Sequence, residues 1–79
     1  MNLYYCQAGY DTVDLDLMVV AGDVETAIEV WRRVVRVDLN ETELKDATCE
    51  PMLVGVHLAS PIQGYIEWGT FKLIPMELP

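Results

Sequence analysis

Val13-Asp14-Leu15-Asp16-Leu17-Met18-Val19-Val20-Ala21-Gly22-Asp23-Val24-Glu25-Thr26-Ala27-Ile28-Glu29-Val30-Trp31 changes its apolar period once, and that change sets the architecture. Up to Val20 the residues alternate. Val13, Leu15, Leu17 and Val19 share one face while Asp14, Asp16, Met18 and Val20 share the other, the period of a half-buried strand. Gly22-Asp23 breaks the run, and the Asp23 carboxylate is suited to accept hydrogen bonds from the free amides of a first helical turn. Beyond it Val24, Ala27, Ile28, Trp31, Val34 and Val35 recur at three- and four-residue spacing, with Glu25, Glu29, Arg32, Arg33 and Arg36 on the other side. The spacing predicts an amphipathic helix from Asp23 to about Arg36, laid on a sheet. Glu25 near its positive end and the arginines near its negative end suit the macrodipole, and Glu29 is spaced to pair with Arg33.

Working outward, Asn2 to Ala8 reads as a first strand, and Gly9-Tyr10-Asp11-Thr12 supplies the turn of a hairpin. After the helix, Asn40-Glu41-Thr42-Glu43 has capping-box spacing, which predicts a short extra helical turn near 41–46. Thr48 to Leu58 resumes strand character, with Pro51 marking an edge, a bulge or the strand's start. Ser60-Pro61-Ile62-Gln63-Gly64 reads as a hairpin connection. A final strand from Tyr65 to Ile74 needs a bulge at Gly69-Thr70 to bring Ile66 and Trp68 onto one face with Phe71 and Leu73. The expected fold is α+β: one domain over residues 1–79, a four-stranded antiparallel sheet in the order β-β-α-β-β, and one main helix covering one face. One helix leaves the other sheet face uncovered. Tyr4, Met18, Val20 and Leu53 are expected there.

Composition bounds what such a domain does. A chain of 79 residues holds one domain, which buries about 60% of its unfolded surface, and a hydrophobic content of 52% is enough to build its core. No apolar run approaches the roughly 18 residues that span a bilayer, and Met1 to Asp11 lacks a basic stretch leading into an apolar one, so a cytoplasmic protein is expected. In a reducing compartment Cys6 and Cys49, in no metal or redox spacing, read as small buried hydrophobes. Thirteen acids against five bases give a net charge of -8. That disfavours direct contact with nucleic acid or an anionic membrane and favours a basic partner, such as a protein that itself grips DNA or RNA. Acidity that serves solubility is the plainer alternative.

Catalytic and ligand motifs are missing. The single His57 lies in a strand pattern with no serine or cysteine in a nucleophile setting, and reads as a surface strand residue. Asp14 and Asp16 lack the glycine and distal glutamate of a calcium loop and read as a solvated strand face open to a basic partner. No glycine-rich phosphate cradle occurs, and no cofactor or metal is expected. Asn40-Glu41-Thr42 matches the glycosylation acceptor pattern but reads as a helix cap. Arg32, Arg33 and Arg36 read as dipole and ion-pair partners, and Trp31 as core. Trp68 is a candidate interface anchor. With no enzyme expected, the partner-binding candidates are Asp14, Asp16, Glu50, Glu67, Trp68 and Met18.

The passage from Met18 to Trp31 resembles the strand-to-capped-helix units of small phage and mobile-element proteins, anti-CRISPR proteins among them. Those are short, often acidic domains of a small sheet with one or two helices. The resemblance implies an inhibitor in the host bacterial cytoplasm that sits on a basic surface of a CRISPR effector such as Cascade and blocks target DNA binding. It carries over no individual residue. The alternative is a homo-oligomeric structural or accessory phage protein whose open face or strand edges pair with a second copy.

Overall fold

A computed structural model describes residues 1–59 and 62–78. The elements in chain order are β1 (Asn2–Tyr10), β2 (Val13–Asp14), β3 (Leu17–Ala21), α1 (Val24–Val35), α2 (Glu41–Asp46), β4 (Thr48–Gly55), β5 (Gly64–Ile66) and β6 (Leu73–Pro75). All strand pairs are antiparallel, in the spatial order β4-β1-β3-β5-β6, with β2 beside the far end of β1.

The opening stretch folds much as its periods dictate. Strands β2 and β3 keep one register against β1, from Tyr10 opposite Val13 to Asn2 opposite Ala21, so they are one long strand interrupted at Leu15–Asp16. Asp23 caps α1 by accepting the Thr26 amide at 2.8 Å. Ala27, Val30, Trp31 and Val35 bury against Tyr4, Cys6, Leu17, Val19 and Ala21 on the sheet. The second helix forms at 41–46 with a complete capping box: the Glu43 amide donates to Asn40 and the Asn40 amide to the Glu43 carboxylate. Its Leu44, with Leu39 before it, extends the same core.

Several expectations are corrected. The sheet has six strand segments, where four strands were expected. Tyr65 to Ile74 is a tight hairpin and not one bulged strand: Glu67 and Lys72 close it, Gly69 has φ +100°, and Phe71 has φ +57°. The break in apolar alternation at Gly69 was the signature of a reversal. β4 and β5 are not hairpin partners either, because β4 pairs with β1 and β5 with β3, on opposite sides of the β1–β3 pair. Ser60 and Pro61 of the expected connection lie outside the described residues. Glu29 pairs with Arg32 at 3.3 Å, one residue short of the expected Arg33. Tyr4 lies on the helix side, opposite Val19 and Leu53, and is buried in the core. Leu53 shares that side of β4, so neither belongs to the open face.

Each outer edge carries a proline. The Leu15 amide donates to the Ala8 carbonyl, so the even residues of β1 bond toward β3 and the odd ones toward β4. Pro51 sits opposite Cys6, and its missing donor therefore falls on the outer side of β4. On the far edge the Met76 amide bonds to Gln63, which turns the nitrogen of Pro75 outward by the same alternation. Prolines so placed cost no ladder bond and blunt both edges against further strands.

Candidate interaction face

Asp16 organises the interrupted strand. In an unbroken ladder the Ala8 amide would donate to the Leu15 carbonyl. Here it donates to Asp16 Oδ1 at 2.8 Å, while the Tyr5 hydroxyl donates to Asp16 Oδ2 at 2.6 Å. Two backbone carbonyls at the interruption are taken by the two tryptophans. Trp31 Nε1 donates to Leu15 O from the helix side, and Trp68 Nε1 donates to Asp16 O from the open side, each at 2.9 Å. The hydrogen bond from Tyr5, then that from the Ala8 amide, holds the Asp16 carboxyl below its usual range. The same bond to Asp16 raises the Tyr5 hydroxyl, because ionisation would destroy the donor. Asp16 is therefore committed to the fold, and its part in contacting a partner is smaller than an exposed strand carboxylate would have.

The face away from α1 has two ends. One is an apolar trough of about 530 Å³ lined by Leu3, Met18, Ile66, Trp68, Phe71 and Leu73. Val20 forms its floor at 3% exposed, and Leu58 from the segment after β4 closes one side. Trp68 remains 49% exposed and Phe71 72% exposed, their rings meeting edge to face at 6.5 Å. Phe71 is the outlier of the site. An aromatic residue in the left-handed backbone region costs on the order of 1 kcal/mol, and this one recovers little of it by burial.

The other end is acidic. Register places Asp14 opposite Gly9 and Glu50 opposite Gln7, on the same side of the sheet as Tyr5, Met18 and Met52. Asp14 and Glu50 are exposed, and Asp14 also accepts the Asp16 amide at 3.0 Å. No strand position on this side is basic. Arg32, Arg33 and Lys45 belong to the helices, Arg36 caps the end of α1, and Lys72 follows the β5–β6 turn. Of the six candidates, Asp14, Asp16, Met18, Glu50 and Trp68 thus share one face. Glu67 alternates away from Ile66 and accepts the Thr70 hydroxyl at 2.8 Å, bracing the turn.

Two features escaped the sequence reading. Phe71 was given only a place in a strand, although the turn holds it at the mouth of the trough; the broken alternation around Gly69 was the available signal. Cys6 and Cys49, distant in sequence, are brought to neighbouring strands on one side of the sheet by the β1–β4 register, both as free thiols. The Cys6 thiol beside it, then burial, push the Cys49 thiol up. His57, expected within a strand, follows β4 at φ +53° with its amide bonded to Asn2. Among the described residues no helix is long and apolar enough to cross a membrane. Comparison with protein-family models, curated proteins and solved structures found no match.

Proposed function

We propose that this chain is a non-catalytic protein-binding domain whose working surface is the sheet face opposite α1. The observation that carries the reading is Phe71, an aromatic side chain held 72% exposed in a left-handed backbone conformation beside the half-exposed Trp68. Strain of that kind, at the mouth of an apolar trough, is what a binding anchor needs and a solvated turn does not. The outward prolines of both edges favour the face over the edges as the contact surface, and so weigh against self-assembly by strand pairing.

The narrower form of the proposal is an anti-CRISPR-like inhibitor that occupies a basic surface of an effector such as Cascade and blocks its target DNA. Its support is the resemblance over Met18 to Trp31 and the net charge of -8. The test is a gel-shift titration of target DNA bound by a purified Cascade complex, with this chain added in excess. Loss of the shifted band, restored when Phe71→Gly replaces the natural chain, is expected. An unchanged band removes the CRISPR reading and leaves the binding face to be judged by the experiment below.

A further inference from the structure

We infer that the open face takes a protein segment in which a large apolar side chain and an arginine or lysine stand about four residues apart. This rests on the reading of the open face as the working surface and goes on to say what fits there. The apolar member enters the trough between Met18, Ile66 and the Trp68–Phe71 pair. The basic member lies over β1 near Gln7 and Gly9, between Glu50 on one neighbouring strand and Asp14 on the other. Two strand spacings across the sheet and two residues along it separate those positions, roughly 12 Å, a gap that the long side chain of one basic residue can enter. From Met18 to Asp14 is four residues along the strand, roughly 13 Å, which sets the spacing for an extended partner.

Charge complementarity selects this occupant over the others. A second copy packed face to face would offer no basic strand residue to meet Asp14, Asp16 and Glu50. A purely apolar ligand would leave the acidic end without a counterpart, and an acidic segment would be repelled from it. Asp14 and Glu50 are the exposed acids of this end, so they are the pair that reads the basic residue.

A random nine-residue peptide library displayed on phage tests this, with the full chain as bait and Phe71→Gly as the parallel bait. That variant relieves the positive φ, so lost binding is not lost folding, and circular dichroism checks it. The expected result is enrichment of peptides pairing an aromatic or aliphatic residue with arginine or lysine about four positions away. Enrichment should vanish on Phe71→Gly, and Asp14→Asn with Glu50→Gln should weaken a selected peptide about tenfold at low salt. Selected peptides that are acidic, or apolar without a basic residue, but still need Phe71, overturn this inference and leave the binding face standing. Peptides that bind both baits equally, or no enrichment over the phage background, overturn both.

Discussion

At the scale of single residues, the hydrogen bonds of Asp16 make stability depend on pH at both ends of the scale. The folded Asp16 carboxyl lies below its unfolded value, so its contribution is complete above about pH 4 and fades as pH falls through the folded value. The folded Tyr5 hydroxyl lies above its unfolded value, so its contribution is complete below about pH 10 and fades as pH rises through the folded value. Tyr5→Phe should flatten both limbs of a plot of urea midpoint against pH, and Asp16→Asn should flatten the acid limb. Retention of both limbs in Tyr5→Phe would mean that other groups govern them. Phe71→Gly should leave stability within about 1 kcal/mol, because relief of the left-handed strain offsets added chain entropy and the lost ring contact. A loss above about 2 kcal/mol by urea unfolding would give Phe71 a structural reason and remove its functional one. Little of this was readable beforehand. Alternation put Asp14 and Asp16 on one face correctly, but no local pattern distinguishes a solvated carboxylate from one that replaces a backbone carbonyl in a ladder eight residues away.

The elements divide by how local their causes are. Both helices follow from caps and spacing within a few residues, and both formed where Asp23 and Asn40 placed their starts. The strand partners of β4 and β5 depend on contacts across the whole chain, and proximity in sequence suggested a hairpin that the register excludes. The β5–β6 hairpin hid behind a bulge because a reversal and a bulge both break alternation at a glycine. Two predictions belong here. Gly64→Ala should cost about 1–3 kcal/mol in thermal unfolding, since a Cβ there meets the backbone of Ile74 and Pro75 on β6, while Gly22→Ala, with open space around it, should cost far less. Pro51→Thr should restore a donor on the outer side of β4 and produce oligomers by light scattering at concentrations where the natural chain stays monomeric. A natural chain that already associates through β4 would show the proline to be no barrier.

For the molecule as a whole, the sheet is a partition. Its helix side is closed over β1 and β3 by Trp31 and the residues around it, while Leu53 of β4 stays half-exposed. Its open side joins an aromatic-rimmed trough to an acidic end, held together at the Leu15–Asp16 interruption, where Asp16 accepts the Ala8 amide of β1 and the Trp68 indole and Leu15 accepts the Trp31 indole. Negative charge alone would fit a solubility device, but an exposed aromatic pair next to it adds apolar surface that solubility opposes. The combination favours a surface used for binding. The two indole N–H signals make the direct test internal to one spectrum: a nitrogen-proton correlation titration of the natural chain with a peptide recovered from the phage selection. The account predicts that the Trp68 indole and the amides of Met18, Ile66 and Phe71 shift progressively while the Trp31 indole and the exposed positions of α1 hold still. Movement of α1 with a stationary Trp68 would contradict it.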